Sequence, residues 1–191
     1  MLKDLIKKNR SYRCYNRDRK IPHEEVLDMI DHARLSASSI NLQPLKFYIA
    51  DGKDAEIIEK ETKLAGLLPE LHLPIPGTEP PLYIVICHDE RISKVKDFSI
   101  DVGIAAQSIT LAAAEKGLGA CMLGSYNKNT IDGILAFPEY LKTKLIIAIG
   151  EPAEEPVLED MEAGGKTAYY RDEKGVHHVP KRKLEDLIVE K

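Results

Sequence analysis

What this sequence lacks narrows it first. No apolar run approaches the roughly 20 residues that span a bilayer, and Met1-Leu2-Lys3-Asp4-Leu5-Ile6 places charge where a secretory signal needs an unbroken apolar segment. The expectation is a soluble, cytoplasmic protein without a membrane partner. Cys14, Cys87 and Cys121 are odd in number and far apart, which fits neither a disulfide framework nor a CxxC metal site; they read as reduced thiols. There is no phosphate-binding P-loop, and His23-Glu24-Glu25-Val26-Leu27 lacks the second histidine of an HExxH pair. Gly117-Leu118-Gly119-Ala120-Cys121-Met122 misses the third glycine of the dinucleotide fingerprint and follows a helix rather than a strand. The histidines His23, His32, His72, His88, His177 and His178 show no ligand spacing. The adjacent pair, His177 and His178, would point to opposite faces of a strand. No metal is therefore expected. No Ser/His/Asp or paired-carboxylate arrangement stands out, and Cys121, without a basic neighbour, reads as a small buried hydrophobe rather than a nucleophile.

What is present fits one globular unit, read as a single domain over residues 1–191, with 43% hydrophobic and 30% charged residues. The formal net charge of −4 is unevenly spread. Residues 1–20 hold eight Lys/Arg against two Asp/Glu, leaving 19 basic against 29 acidic residues in the rest. A net acidic body argues against a nucleic-acid partner, which needs a basic face. Within the basic segment, Arg10-Ser11-Tyr12-Arg13 follows a short amphipathic helix over residues 1–8. Two guanidiniums and a hydroxyl this close suit a phosphate, because guanidinium forks pair bidentately with its oxygens. A solvated basic terminus is the alternative.

Farther along, Pro22, Glu24 and Glu25 open a helix to about Leu35 with Val26, Leu27, Ile30 and Ala33 as its buried stripe. A donor-rich loop follows over residues 36–44, in which Pro44 should hold Gln43 extended. Leu45–Ala50 reads as a strand and Asp54 to about Leu64 as a helix. The proline- and glycine-rich stretch 66–81 reads as a long irregular loop, and Tyr83–Cys87 as a central buried strand. From about Lys96 to Lys116 runs a segment with no charge between Asp101 and Glu115, the pattern of a helix buried on every side. Ala120–Leu123 continues as a strand, Asn129 to about Ala136 as a short capped helix, and Lys144–Ile149 as a core strand stopped by Gly150. Residues 151–162, with six acidic residues and no basic one, read as an exposed connection. Residues 167–171 and 176–179 form a candidate hairpin, and Pro180 to Glu190 a terminal helix.

Donors for an anion are many and acid/base candidates few, the balance expected where a cofactor carries the reaction. Several separated stretches resemble the nitroreductase family. Arg10-Ser11-Tyr12-Arg13 resembles its Arg-Ser-x-Arg motif, and Ala37-Ser38-Ser39-Ile40-Asn41-Leu42-Gln43-Pro44 its Pro-Ser-Ser-x-Asn-x-Gln-Pro-Trp loop. Asp101–Gln107 with Gly117–Gly124 is similar to its central helix and following strand. Ile149-Gly150-Glu151-Pro152 and the basic Lys181-Arg182 complete the set in the family's order.

The resemblance implies an α+β, three-layer α/β/α fold, with a mixed, mostly antiparallel sheet, working as an intertwined homodimer with FMN at the interface. It implies that Arg10, Ser11 and Arg13 hold the FMN phosphate together with Lys181 or Arg182. Ser38, Ser39 and Asn41 would reach FMN from the other subunit, while Met122, Leu123 and Gly124 lie along its ring system. No catalytic side chain is assigned, because the chemistry sits on FMN. The implied activity is ping-pong transfer of hydride from NADH or NADPH through FMN N5 to an electron-poor small molecule: a nitroaromatic, quinone or flavin. Alternatives are a specialised dehydrogenase or reductive dehalogenase on the same scaffold, and a non-catalytic flavin or phosphate-ligand binder. Ala37 and Leu45 stand where the family has Pro and Trp, and the acidic segment 151–170 is longer than the family's link, leaving Lys166 and Arg171 as further phosphate candidates.

Overall fold

The computed structural model describes residues 1–66, 68–94 and 98–189. Its centre is strand β3, Leu82–Asp89, buried at every position. Alternation along β3 sends Leu82, Ile84 and Ile86 into one hydrophobic core, and Tyr83, Val85 and Cys87 into another on the opposite face. An unbroken apolar run is what a strand covered on both faces requires.

On one side β3 pairs with β2, Leu45–Asp51, which forms the sheet edge. On the other it pairs with β5, Leu141–Pro152. The far edge of β5 carries two strands end to end: β4, Gly119–Leu123, against Ile146–Gly150, and β1, Tyr15–Asn16, against Glu151 and Pro152. All pairings in this five-stranded sheet are antiparallel. The expected stop at Gly150 does not occur, because β5 runs through it. A Cβ there would fall 2.8 Å from Pro81 and Tyr15 side-chain atoms, so the glycine serves close approach rather than termination.

Helices cover both faces. Helix α1 is Leu2–Lys8, α2 is His23–Leu35 and α4 is Ser99–Glu115; α2 and α4 supply one core. Helices α3, Gly52–Glu61, and α5, Lys128–Ile134, supply the other. This is the expected α/β/α layering. Helix α3 sits earlier than the expected Asp54–Leu64, and α5 is capped by the Asn127 side chain, which accepts from the Thr130 N–H at 3.3 Å. In α2 the buried stripe is Val26, Met29 and Ala33, while Leu27 is exposed. Among the described residues no helix is long and apolar enough to cross a membrane.

Helix α4 corrects the expectation of burial all round. Ala105, Ala106, Ile109, Ala112 and Ala113 are buried, but Ile100 is 73% exposed. Gly103 and Gln107 are exposed and Ile104 and Leu111 half-exposed, at helical spacing on one uncharged stripe. Lys96, where that stretch was expected to begin, lies outside the described residues, as does Leu67 of the loop 66–81.

The C-terminal region departs most from expectation. Residues 157–161 form β6, paired in parallel with β8, His177–Arg182, which also pairs antiparallel with β7, Tyr170–Arg171. The acidic segment is thus part of a second, three-stranded sheet. Its Glu154 is half-buried, ion-paired to Arg171, and accepts hydrogen bonds from the backbone N–H groups of Arg13 and Cys14. Periodicity does not reveal such a partner 140 residues away. The 167–179 hairpin is present, its turn held by Asp172 Oδ1 accepting from the N–H groups of Lys174 and Val176. The terminal helix is absent: β8 extends through Pro180 to Arg182, and one 3-10 turn follows at Glu185–Leu187. Glu190, its expected end, lies outside the described residues.

Candidate functional site

The Arg10–Arg13 stretch leaves α1 and runs beside β4. Ser11 bridges Ala120 in parallel, and the Tyr12 N–H donates to the Ala120 carbonyl at 3.1 Å. Gly119 permits this approach, since a Cβ there would fall 2.6 Å from the Tyr12 ring. The N-terminal cations are thereby fixed against the strand that carries Met122.

Between them lies a cleft of about 360 Å³ lined by Asn9, Arg10, Ser11, Arg13, Gln107, Thr110, Ala120, Met122, Tyr169, His177, Val179 and Lys181. Four elements build it: the segment after α1, helix α4, strand β4 and the small C-terminal sheet. Asn9 Nδ2 donates to Thr110 Oγ1 at 2.9 Å, tying the first two together. Arg13, only 7% exposed, is held between the Tyr169 ring, 4.4 Å from its Cζ, and His177. Its Nη1 donates to the Ser11 carbonyl at 3.0 Å and lies 2.8 Å from His177 Nε2. Burial, then the charges of Arg13 and Arg171 and the nearby His178, push the His177 pKa down to about 4.

This cleft contains unmet donors. Arg10 Nε, Arg13 Nε and His177 Nδ1 are all buried without a hydrogen-bond partner among the described residues. Buried polar groups are ordinarily satisfied. Three N–H groups lacking acceptors, two of them on guanidiniums and one on an imidazole, together with the Lys181 ammonium suit an anion.

A second cleft, about 430 Å³ and mainly apolar, lies toward the other end of α4 and shares no lining residue with the first. Its walls include Leu27, Ile30, Ser38, Gln43, Phe47 and Asp101. Here the donors are already used. Asp101, 3% exposed, accepts from Ser38 Oγ at 2.6 Å, Ser39 Oγ at 2.7 Å and the Ser39 N–H at 3.0 Å. Burial opposes ionisation of Asp101, but these hydrogen bonds carry its pKa below the ordinary carboxylate value. Gln43 does not take the extended conformation expected before Pro44; its φ is +52°, with Ile40 at +45° and Asn41 at +58°. Hydrogen bonds fold it back: its N–H donates to Ser38 Oγ, and its Nε2 to the Asn41 carbonyl and Oδ1.

One chain therefore brings together Arg10, Ser11, Arg13, Met122 and Lys181, but not Ser38, Ser39 or Asn41. Lys181 lines the cleft; Arg182, the next residue of β8, does not. Arg171 belongs to the Glu154 ion pair. Met122 is 39% exposed, whereas the Leu123 side chain packs into the α3/α5 core, so only its backbone is available. Gly124 is exposed at the end of β4. Burial pushes the Cys121 thiol up to about 11, consistent with its reading as a packed residue. Sequence reasoning missed Asn9, Thr110, Tyr169 and His177. Only the place of Tyr169 and His177 within the candidate hairpin, and of Asn9 beside Arg10, hinted at them.

The model of the nitroreductase family matches residues 6–151. A Methanothermobacter thermautotrophicus protein provisionally named NADH dehydrogenase/NAD(P)H nitroreductase is 32% identical over 165 residues, covering 83% of this chain and 81% of the relative. An FMN-dependent nitroreductase from Clostridium difficile R20291 has a similar solved structure, 30% identical with a TM-score of 0.64, covering 79% of this chain and 87% of that one. A Desulfovibrio desulfuricans protein provisionally named nitroreductase, crystallised in complex with FMN, shares the fold. It is 24% identical with a TM-score of 0.70, covering all of this chain and 96% of that one.

Proposed function

The chain belongs to the nitroreductase family, and on that premise we propose that it is an FMN-dependent oxidoreductase acting as one domain over residues 1–191. It uses NADH or NADPH to reduce an electron-poor small molecule such as a nitroaromatic, quinone or flavin. The observation that carries this reading is the set of unmet buried donors, Arg10 Nε, Arg13 Nε and His177 Nδ1, in a cleft that also holds Lys181. They match a phosphate monoester in charge and in hydrogen-bonding sense.

Arg10, Ser11, Arg13 and Lys181 hold the phosphate, and β4 presents Met122 and the backbone of Leu123 and Gly124 to the ring system. Bound there, FMN supplies hydride acceptance and donation. The chain's part is to bind and orient. Cys121 is protonated and packed, so it serves as no nucleophile, and no side chain in the cleft is needed as a general acid.

The partner of a second copy completes the reading. The uncharged stripe Ile100, Gly103, Ile104, Gln107 and Leu111 on α4, together with the exposed Leu184, Leu187, Ile188 and Val189, supports a homodimer built on α4. That pairing carries Ser38, Ser39 and Asn41 to the other subunit's FMN. The Ser38 and Ser39 protons are committed to Asp101, so their hydroxyls meet an opposing ligand as acceptors. The segment 68–81 and Leu45 shape the acceptor side.

Purified protein should be yellow, and its flavin absorbance should bleach anaerobically on adding NADH or NADPH. A colourless protein that takes up no FMN sinks the proposal; a yellow protein that neither nicotinamide reduces restricts it to flavin binding.

A further inference from the structure

The matched family region ends at residue 151, yet Tyr169, His177 and Lys181 of the later C-terminal sheet form one wall of the cleft. His177 is 1% exposed and sits on β8 between β6 and β7; Arg171 of β7 is ion-paired to Glu154, which accepts from the Arg13 N–H. Its Nε2 lies 2.8 Å from Arg13 Nη1. A guanidinium only donates, so Nε2 is the acceptor, and a neutral imidazole accepting at Nε2 carries its proton on Nδ1. That Nδ1–H is buried and has no acceptor among the described residues. The same holds for the Nε–H groups of Arg10 and Arg13. Three unmet N–H groups from two ends of the sequence leave their acceptor to come from the ligand.

We infer that His177 is a direct ligand of the FMN phosphate, donating its Nδ1–H to a phosphate oxygen while its Nε2 fixes the Arg13 guanidinium. This rests on the FMN reading above and adds a residue from outside the matched region. Burial and the flanking Arg13 and Arg171 keep the ring neutral at ordinary pH, so it contributes a hydrogen bond rather than a charge. Tyr169 holds both groups in place: its ring is 5.2 Å from the imidazole and 4.4 Å from Arg13 Cζ.

Two substitutions separate the roles of the two ring nitrogens. His177→Gln places a carboxamide oxygen near Nε2 for Arg13 but has no donor at Nδ1. His177→Asn places its amide nitrogen near Nδ1 and gives up the acceptor. Titrating the full-length apoprotein with FMN and with riboflavin, read by flavin fluorescence, isolates the phosphate end. The preference for FMN over riboflavin should fall about tenfold in His177→Gln, the effect of one hydrogen bond to a charged group. In His177→Asn it should stay within about threefold of wild type. Undiminished preference in His177→Gln, or a loss in His177→Asn as large, overturns the inference. On the unsubstituted protein, ¹⁵N NMR of the His177 ring should show Nδ1 shifting with FMN and not with riboflavin; identical spectra overturn it as well. Failure of the underlying reading looks different: wild-type protein then binds neither flavin.

Discussion

At the two ends of α4 lie two polar loops that look alike in sequence. Arg10-Ser11-Tyr12-Arg13 and Ser38-Ser39-Ile40-Asn41 are both dense in donors and both follow a helix. Their hydrogen bonding differs. The serines of the second loop converge on the buried Asp101, and Gln43 closes back on Ser38 and Asn41. The first leaves Arg10 Nε and Arg13 Nε unmet, with His177 Nδ1 beside them. A loop whose donors are satisfied holds a shape; a loop whose buried donors lack acceptors awaits a ligand. Donor density does not separate the two, and donor satisfaction does.

The widest break of this comparison is Arg13→Ala. The side chain is nearly fully buried, and losing a buried charged partner of an anion costs about 3 kcal/mol. FMN affinity should fall on the order of 100-fold, while riboflavin affinity changes by no more than a few-fold. Flavin fluorescence on titration reads both values. Unchanged FMN retention in this variant would refute the assignment of the phosphate to the first loop.

Asp101→Ala attacks the other loop and should separate stability from phosphate recognition. It strands the Ser38 and Ser39 hydroxyls and the Ser39 N–H around a carboxylate only 3% exposed; Ser39 itself is exposed, so water meets part of the demand and a loss of roughly 1–2 kcal/mol is expected from the denaturation midpoint. The FMN-to-riboflavin preference should persist. The pH dependence has a definite sign. Because folding lowers the Asp101 pKa, its contribution is present above the ordinary carboxylate value and is lost as pH falls through the folded value. The variant should therefore show a shallower acid limb than wild type. An equally steep limb would mean that Asp101 is not ionised in the folded loop.

How much of this could be read from the chain itself follows from the range of the interactions. The strands β2, β3 and β4 and helices α1, α2 and α4 are written in local periodicity, and they appear near the expected positions. Arg10, Ser11 and Arg13 stand out as a candidate phosphate motif because their chemistry lies within four residues, and the structure places them in one cleft with Lys181. Of the second sheet only the β7–β8 hairpin is legible; the addition of β6 is not, because nothing local shows that Glu154 meets Arg171 and the Arg13 backbone. Once that pairing exists, β6 aligns beside β8 and overrides the helical reading of residues 180–190. Locally His177 reads only as half of an adjacent histidine pair, and its contact with Arg13 spans 164 positions. The one-sided exposure of α4 was hidden for a different reason: small apolar residues suit either a core or an interface, and composition cannot tell them apart.

The smallest expected effect decides a question the basic pair at 181–182 leaves open. Successive residues of β8 point to opposite faces, and only Lys181 lines the cleft with Arg10 and Arg13. Its ammonium is exposed, so it acts on a phosphate as a solvated point charge rather than as a rigid fork. Lys181→Ala should weaken FMN binding about three- to tenfold, leave riboflavin binding unaltered, and lose most of its effect at 1 M salt, where charges are screened within about 3 Å. Arg182→Ala, with the same change of charge on the other face, should leave both affinities at the wild-type value. If the two variants weaken FMN equally and with the same salt dependence, the contribution is the general field of a basic C-terminus. The contrast between a built anion receptor and a merely charged surface would then fail at this strand.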